Sequence, residues 1–451
     1  MTRLLLLGAG RSASSLIQYL LRYLAAEDWH LTIADVNPAP LQPILAPYGE
    51  RAQAVAFEIG QQERLHELVA AHDVVISMLP ALFHPLVAKA CLQHQRHLAT
   101  ASYATEEIRA FEAEARAAGL TFLMECGLDP GLDHMSALPV IEEIRAQGGR
   151  LTSFKSYCGG LMAPDSEGDN PWRYKFTWNP RNVVVAGQGT ARYIEGGRPR
   201  FIPYQHLFRR VERLAVPGYG EFEGYANRDS LGYRPLYGLD GIPTMLRGTL
   251  RRPGYCAGWA ALVALGLTDD SYRLGNAAGL TWAELIESFL PSAAPGEPLA
   301  GRVAAYLRLD PTGEEMQRLN WLGLFTTEPV GLPDATPAQL LERLLTARWQ
   351  LQPQDHDMIV MQHLFEYLPA DGGAVQRRTS SLVVIGDDAV HTAMAKTVGL
   401  PLGMAVRRLA RGEVAHRGVV VPVHADVYAP ILQELAQEYG IEFVESEHAL
   451  A

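Results

Sequence analysis

The residues best suited to hold a ligand form a glycine turn near the N-terminus. Four leucines run directly into a Gly-x-Gly-x-x-Ala pattern that comprises Gly8, Gly10, Arg11, Ser12 and Ala13. The first glycine permits a tight turn, the second lets a pyrophosphate approach the backbone, and the alanine lets a helix pack closely on the strand. The amides at the start of that helix would bind the phosphates. The pattern predicts dinucleotide binding by these residues.

An acidic residue ends the second predicted strand. The segment 30–34 is a short, mainly apolar run, and Asp35 follows it at the distance from the glycine turn that is typical of a ribose ligand. A carboxylate at this position accepts hydrogen bonds from ribose hydroxyls and would repel a 2′-phosphate. We therefore expect NAD rather than NADP as the cofactor. The alternative is that Asp35 only begins the turn toward Asn37 and Pro38.

Further candidates follow the other predicted strands, because doubly wound sheets bind ligands at the carboxyl ends of their strands. Those ends add cofactor-binding candidates, namely Glu58, Ile59, Leu79, Ser102, Leu128, Asp129 and Pro130. Leu79 would fit a hydrophobic core equally well. The segment 125–134 carries several titratable groups on a Gly/Pro turn. It is either a hinge between domains or the floor of an active site, with Asp129 near the nicotinamide.

The segments that would position these residues alternate between strand and helix patterns over about the first 125 residues. This order predicts an α/β fold with a doubly wound parallel sheet. Beyond Leu151, strand-like pieces at 151–157 and 183–186 alternate with loops rich in glycine, proline and aromatic residues, which predicts a mixed or antiparallel sheet. Residues 259–350 have mainly helical patterns. The last predicted elements are strands at 358–365 and 379–385 and helices at 390–398, 402–411 and 428–439.

The composition limits the class of protein and its partners. A chain of 451 residues is too long for one ordinary core, so more than one domain is expected. The net charge of -11 argues against nucleic acid or an anionic membrane as the main partner. No cysteines have the spacing of a CxxC pair or of a Cys/His zinc site, so we expect no metal. Free thiols favour a cytoplasmic location.

Polar residues further along the chain could take part in catalysis or bind a substrate. Cys158 precedes a Gly-Gly pair, so its thiol could exchange a proton near a ligand, although an isolated cysteine is more often packed in a core. Arg228 and Arg251 lie beside turn residues. The forked guanidinium of arginine binds carboxylates in a bidentate manner, so these two residues favour a carboxylate ligand.

At these residues the chain resembles the saccharopine dehydrogenase (L-glutamate-forming) family, whose members are also called saccharopine reductases. The motifs that carry the resemblance occur in family order: Ser102-Tyr103, Gly127–His134, Ser156–Leu161, Asp169–Pro171, Tyr174–Phe176, Asn227–Ser230, Arg247–Arg251 and Ala393–Pro401. The resemblance implies a homodimer in which each chain has three domains. These are a discontinuous Rossmann-type domain (1–130 and 388–451), a mixed α/β substrate-binding and dimerisation domain (131–260 and 351–387) and a helical insert (261–350).

The resemblance also implies a reaction in lysine metabolism. In that family, saccharopine is oxidised to 2-aminoadipate 6-semialdehyde and L-glutamate by hydride transfer to C4 of a nicotinamide and hydrolysis of the imine. By resemblance, Asp129 orients the substrate amine and assists proton transfer, Tyr103 donates a hydrogen bond, and Cys158 is auxiliary. The implied substrate-binding residues are Ser102, Tyr103, Asp129, Arg228, Thr249, Leu250 and Arg251. Relatives that use NADP have a basic or small residue in place of Asp35, which again favours NAD.

Two other functions remain open on the sequence. A relative such as carboxynorspermidine dehydrogenase joins a diamine to a semialdehyde and would need fewer arginines for carboxylates. A non-catalytic NAD-binding regulator would bind the cofactor without turnover. The presence of Tyr103, Asp129 and Arg228 argues against the regulator.

Overall fold

The computed structural model describes residues 1–186, 188–292 and 296–450. Within these ranges the strands are, in chain order, β1 (Thr2–Leu7), β2 (Trp29–Asp35), β3 (Ala52–Ala56), β4 (Val74–Ser77), β5 (His97–Thr100), β6 (Thr121–Leu123), β7 (Arg150–Met162), β8 (Ala191–Glu195), β9 (Arg198–Ile202), β10 (Val211–Val216), β11 (Gly220–Ala226), β12 (Thr244–Arg251), β13 (Leu274–Gly275), β14 (Asp334–Ala335), β15 (Asp357–Leu368), β16 (Gln376–Ile385), β17 (Gly418–Val420) and β18 (Val444–Ala449).

The helices of the same ranges are α1 (Ser14–Tyr23), α2 (Gln42–Leu45), α3 (Gln62–Ala70), α4 (His84–His94), α5 (Glu106–Arg109), α6 (Glu112–Ala117), α7 (Leu132–Ala146), α8 (Pro180–Val184), α9 (Tyr255–Ala264), α10 (Trp282–Ser288), α11 (Leu299–Leu307), α12 (Glu314–Leu322), α13 (Pro337–Arg348), α14 (Ala393–Ala410) and α15 (Ala425–Tyr439). The chain divides into two compact units. The first comprises Met1–Ala146 and Val384–Val444, and the second comprises Gln147–Val383 and Glu445–Ala451.

The first unit contains a seven-stranded parallel sheet with the order β17-β6-β5-β4-β1-β2-β3. Leu4 to Leu7 of β1 are fully buried, as expected for a central strand of a parallel sheet. β1 pairs with β2 on one side and β4 on the other, so the strand order reverses between β1 and β4. Such a switch point forms the ligand-binding crevice of doubly wound sheets. The predicted α/β class and parallel sheet are confirmed.

The C-terminal segment returns to the first unit through α14, which packs against α1. Two glycines of α14 make this close approach possible. A Cβ on Gly399 would lie 2.7 Å from the amide nitrogen of Leu16, and one on Gly403 would lie 2.6 Å from the ring of Tyr19. Residues four apart lie on one face of a helix, so the two glycines form one surface against α1.

The prediction of two separate helices at 390–398 and 402–411 is wrong, because α14 continues through Pro401. A proline in a helix interior removes a backbone hydrogen bond and costs about 3 kcal/mol. Most side chains of α14 are buried, and this burial outweighs the cost of the proline. The strand β17, which pairs with β6, was not among the predicted elements, since three residues are too few for a periodic pattern.

The second unit contains a nine-stranded mixed sheet with the main order β10-β11-β12-β7-β15-β16-β18, to which β8 and β9 are added beside β12. β7 lies between β12, which is parallel to it, and β15, which is antiparallel. The predicted mixed sheet is confirmed. Much of the predicted helical region is α10 to α13, and most of their buried residues belong to a core cluster that includes Trp172, Trp259 and Trp349.

The prediction of a strand at 183–186 is wrong, because Val183 and Val184 are the end of α8. Two local signals start this helix. The Asn179 side chain accepts a hydrogen bond from the Asn182 amide (3.3 Å), and Pro180 occupies the first turn. The apolar run is therefore the buried part of a short helix rather than a strand.

The four cysteines, Cys91, Cys126, Cys158 and Cys256, are buried free thiols. Among the described residues, no group of three or more His, Cys, Asp or Glu side chains could hold a metal ion. Across the same residues, the structure contains no helix with the length and apolar character needed to span a membrane.

Gly399→Ala should lower the free energy of unfolding by about 1 to 3 kcal/mol, because the added methyl group overlaps the backbone of α1. Gly301→Ala in α11 is the matched control, since beyond its chain neighbours and the nearby backbone of α11 no described atom lies within 4 Å of the added Cβ. It should raise stability by up to about 1 kcal/mol, the difference in helix propensity. Urea unfolding followed by circular dichroism measures both variants. Equal effects of the two substitutions would contradict the packing argument.

Candidate active site

The glycine turn lies at the switch point between β1 and β4. Gly8 has a φ of +90°, and a Cβ there would lie 3.1 Å from the Met78 carbonyl oxygen and 3.4 Å from Leu79 Cδ2. Only glycine combines this conformation with this close approach. A Cβ on Gly10 would meet no described atom within 4 Å, so the space beside its backbone can accept a phosphate group. The turn therefore fits a dinucleotide.

The other residues of the turn have different environments. Arg11 is exposed, Ser12 is half-buried and Ala13 is buried, and these three residues form a short 3₁₀ turn that leads into α1. The Ala13 amide donates to the Gly10 carbonyl oxygen (2.9 Å), which closes the turn. The buried alanine leaves the two polar side chains on the solvent side, where a phosphate would bind.

The carboxylate of Asp35 is held by the backbone of its own unit. Its Oδ2 accepts a hydrogen bond from the Ala9 amide (2.7 Å), and its Oδ1 accepts one from the Asn37 amide (2.9 Å). The residue therefore connects the end of β2 to the glycine turn and also begins the turn at Asn37. Further along the edge of the sheet, Glu58 is exposed and Ile59 half-buried in the loop after β3.

Tyr103 and Asp129 come together in the first unit. The Tyr103 hydroxyl donates to Asp129 Oδ1 (3.1 Å). Asp129 is half-buried between the buried residues Leu128 and Pro130, and the Asp129-Pro130 peptide is cis. The loop is closed by a hydrogen bond from the Gly127 amide to the Pro130 carbonyl oxygen (3.0 Å). The arrangement presents a phenol and a carboxylate together after β5 and β6, where proton transfer to a ligand is possible.

Ser102 belongs to a hydrogen-bonded chain with a buried histidine. His84 Nδ1 lies 2.9 Å from the Ser77 hydroxyl, and His84 Nε2 lies 2.7 Å from the Ser102 hydroxyl. Burial lowers the pKa of His84 to about 4, so the imidazole is neutral near pH 7. A neutral imidazole has one donor and one acceptor, so it orients the two hydroxyls in opposite senses.

The remaining predicted residues lie in the second unit. Cys158 of β7 is opposite Thr249 of β12 in a parallel pair, so their side chains share one face of the sheet. Leu250 follows Thr249 and therefore faces the other side, where it packs with Tyr157 in a hydrophobic cluster. Any polar contact from Leu250 to a substrate would consequently come from its backbone. Gly159 allows β7 and β12 to pack closely, since a Cβ on this residue would lie 2.5 Å from the Leu250 carbonyl oxygen.

The two candidate arginines differ in their environments. Arg251 is buried, donates from Nη1 to the Leu250 carbonyl oxygen (2.8 Å) and lies over the rings of Tyr174 and Tyr255 at 4.9 and 5.2 Å. Burial raises the pKa of both phenols, so they remain protonated. Arg228 is exposed on a backbone with a φ of +35°. Within the described ranges no hydrogen bond or ion pair holds its guanidinium.

The fold and the glycine turn define the class: a Rossmann-type dinucleotide-binding chain with a second unit built on a mixed sheet. The family described as the saccharopine dehydrogenase NADP binding domain matches residues 4–123. The saccharopine dehydrogenase C-terminal domain family matches residues 127–441. The chain belongs to the saccharopine dehydrogenase family.

Several known proteins are similar over nearly the whole chain. Saccharopine dehydrogenase (NADP(+), L-glutamate-forming) of Saccharomyces cerevisiae is 33% identical, with 97% of each chain covered. The mitochondrial alpha-aminoadipic semialdehyde synthase of Bos taurus is 35% identical over 97% of this chain, which spans 47% of the bovine protein. The chain thus spans about half the length of the mammalian relatives it matches. The solved apo structure of the yeast saccharopine dehydrogenase (L-Glu forming) has a TM-score of 0.87 and 32% identity over 100% of both chains.

The prediction of NAD in preference to NADP is wrong. The family that matches residues 4–123 is an NADP-binding domain, and the fungal relatives carry NADP(+) in their names. The prediction rested on the charge of Asp35. In the structure both oxygens of this carboxylate accept backbone hydrogen bonds within the chain. The bond from Asn37 matches the turn given above as the alternative for Asp35, and the bond from Ala9 adds a structural role that the sequence argument did not consider.

Several polar side chains around the predicted site were not assigned a role from the sequence. Glu125 and His134 form a buried contact of 2.9 Å, although nine positions separate them. Ser77 contacts His84, and both are buried. The only sequence signal for these residues is their position after a predicted strand or in the titratable 125–134 segment. Their pairing depends on how the loops fold back.

His84→Gln should remove a pH dependence of stability. The folded pKa of about 4 lies below the unfolded value of 6.5, so protonation favours the unfolded chain. The stability that neutral His84 contributes is present above pH 6.5 and is lost as the pH falls toward 4, by up to about 3 kcal/mol. Urea unfolding of the unsubstituted protein and of His84→Gln is measured at pH 7, 6 and 5. The free energy of unfolding of the unsubstituted protein should fall relative to that of His84→Gln as the pH falls. A constant difference would contradict the assignment.

Proposed function

We propose that this chain oxidises saccharopine to 2-aminoadipate 6-semialdehyde and L-glutamate, or catalyses the reverse condensation, with NADP(H). The family membership and the similarity to the yeast enzyme over both whole chains support this activity. The observation that carries the proposal is the Tyr103–Asp129 hydrogen bond after strands β5 and β6 of the parallel sheet. The polyamine-forming dehydrogenase and the non-catalytic regulator are not favoured by the comparisons.

The residues of the first unit would hold the cofactor and the reacting carbon. The backbone of Gly8 and Gly10 would cradle the pyrophosphate, with Arg11 and Ser12 on its solvent side. When bound, the nicotinamide would supply the hydride acceptor for the carbon that joins the lysine-derived chain of saccharopine to nitrogen. Ser102, oriented by His84, would donate or accept a hydrogen bond at the same edge of the sheet.

The Tyr103–Asp129 pair would handle the protons of the reaction. The ionised carboxylate of Asp129 attracts the secondary ammonium group of saccharopine and can accept its proton. The Tyr103 hydroxyl stabilises the negative charge on that carboxylate by donating to Oδ1. After oxidation, water must add to the imine carbon and a proton must reach the departing nitrogen of glutamate. Asp129 would return to this nitrogen the proton that it took, and would then accept the hydroxyl proton that is lost as the aldehyde forms. Cys158 would be auxiliary.

Arginines would bind the carboxylates of the substrate. Saccharopine carries three carboxylates, whereas this chain has a net charge of -11, so positive charge must be concentrated locally. Arg251 already has its guanidinium ordered by Leu250 and two aromatic rings, which lowers the entropy lost on binding. Arg228 is exposed and available, with Thr249 as a neutral hydrogen-bonding partner for the substrate.

The larger organisation is part of the same proposal. The chain would act as a homodimer in the cytoplasm, and residues 261–350 would form a helical insert between the two parts of the substrate-binding domain. The helices α10 to α13 support this division, since they all lie within the proposed insert.

Initial rates with saccharopine and either NADP or NAD, together with an assay for glutamate, test the proposed activity. We expect reduction of NADP that depends on saccharopine, with one glutamate formed per NADPH. Asp129→Asn should lower kcat by about 100-fold or more, which is typical for loss of a group that transfers protons. The absence of saccharopine-dependent reduction with either cofactor would refute the proposal.

Arg228→Ala should raise the KM for saccharopine about 10- to 100-fold, because a charge-assisted hydrogen bond to a carboxylate contributes about 1.5 to 3 kcal/mol. The KM for NADP should change little. Arg213→Ala is the matched control, since Arg213 is also an exposed arginine of the second unit and pairs with Glu221. An unchanged KM for saccharopine in Arg228→Ala would exclude Arg228 as a substrate ligand.

A further inference from the structure

A buried carboxylate contacts the loop that carries Tyr103. Glu125 follows β6 and has only 1% of its side chain exposed. Its Oε1 accepts a hydrogen bond from the amide of Ala104 (2.9 Å), the residue directly after Tyr103. The Glu125 amide donates to the carbonyl oxygen of Ser102 (3.0 Å), the residue directly before Tyr103. Glu125 therefore holds the backbone on both sides of this tyrosine.

The same carboxylate is connected to the loop that carries Asp129. Glu125 Oε2 lies 2.9 Å from His134 Nε2, and His134 Nδ1 lies 3.6 Å from Asp133 Oδ2. The other oxygen of Asp133 accepts a hydrogen bond from the Gly131 amide (2.6 Å). Gly131 directly follows Pro130 in the loop that contains Asp129. Glu125, His134 and Asp133 thus form a series of polar contacts between the two loops, with hydrogen-bond distances at its two ends and a longer 3.6 Å contact between His134 and Asp133. We call it the Glu125–His134–Asp133 chain.

The position of this chain in the core requires an explanation. All three side chains are at most 1% exposed, and burying charged groups costs free energy even when they are paired. Glu125 also has a φ of +59°, a left-handed conformation that residues other than glycine seldom adopt. Strained backbone of this kind persists where it positions functional groups. Stability alone would favour apolar side chains at these positions.

We propose that Glu125 and His134 are positioning residues that hold the Tyr103 hydroxyl against the Asp129 carboxylate. This inference rests on the proposed function, in which Tyr103 and Asp129 contact the substrate. The Glu125–His134–Asp133 chain connects the two loops within the core. The Tyr103–Asp129 hydrogen bond connects the same loops at the proposed substrate site. Displacement of a reacting group by about 1 Å can lower the rate about 100-fold, so loss of the chain lowers kcat.

The chemistry of the contacts separates two substitutions at Glu125. A carboxylate oxygen can accept a hydrogen bond from His134 through Nε2. In Glu125→Gln the amide oxygen can still accept from Ala104, and the amide nitrogen can donate to His134 Nε2 once the imidazole proton moves to Nδ1, which faces Asp133. Glu125→Gln therefore retains the contacts of the Glu125–His134–Asp133 chain. Glu125→Ala removes the partner of both Ala104 and His134.

Steady-state kinetics of the full chain with saccharopine and NADP test the inference. Glu125→Ala and His134→Ala should each lower kcat about 10- to 100-fold, with the KM for NADP changed less than about 3-fold. Glu125→Gln should stay within about 3-fold of the unsubstituted chain. His72→Ala is the matched control, since His72 is also buried in the first unit but bonds to Leu68 and Thr32.

A double-mutant cycle with Tyr103→Phe distinguishes positioning from a general structural role. If Glu125 acts through the tyrosine hydroxyl, Glu125→Ala should lower kcat by less than about 3-fold when Tyr103 is already phenylalanine. The inference would be overturned if Glu125→Ala lowered kcat by the same factor with Tyr103 as with Phe at that position. A kcat for Glu125→Ala no lower than that for His72→Ala would also overturn it. Should Glu125→Ala fail to fold, judged by circular dichroism and NADP binding, the same cycle is run with His134→Ala.

The outcomes also separate this inference from the proposed function. If the unsubstituted protein oxidises saccharopine but the effects of Glu125→Ala and Tyr103→Phe on kcat are additive, only the positioning role is overturned. An unsubstituted chain without saccharopine-dependent turnover overturns both.

Discussion

Only a glycine fits at the carboxyl end of the interior strand β1, and the position of the predicted cofactor site depends on this constraint. Gly8 has a left-handed backbone, and a Cβ there would press on the Met78 carbonyl oxygen after β4. The two strands can therefore end side by side, with the strand order reversing between them. The site residues that follow β4, β5 and β6 lie at the same edge because these strands run parallel to β1 in one sheet. A similar close approach, through Gly399 and Gly403, joins α14 to α1.

The buried polar groups at this edge form hydrogen bonds within the protein. A buried polar group is tolerated when its hydrogen bonds are satisfied within the protein. His84 meets this condition with two serine hydroxyls, and Glu125 meets it with a backbone amide and His134. The Tyr103–Asp129 hydrogen bond, formed by two half-buried side chains, remains accessible to a ligand. Ordered internal contacts thus surround a small number of groups suited to proton transfer.

The second unit orders a buried arginine side chain within a protein of net negative charge. Arg251 is placed against two phenol rings and a carbonyl oxygen, so its charge is held without an acidic partner among the contacts described for it. The alternation of side chains along β12 separates Thr249, which shares a face with Cys158, from Leu250, which packs in the core. Polar and apolar neighbours in the sequence therefore serve opposite faces of one sheet.

The sequence by itself determined the parallel sheet, the glycine turn, the mixed second sheet and the family, because these depend on local periodicity and on short motifs. Only the tertiary structure decided which groups are partners. Asp35 bonds to Ala9, and Glu125 pairs with His134, because loops from different strands end at one edge of the sheet. Packing likewise carried α14 through Pro401, against a local helix-breaking signal. The side-chain chemistry of a segment is local, whereas its hydrogen-bond partners and burial are set by the topology.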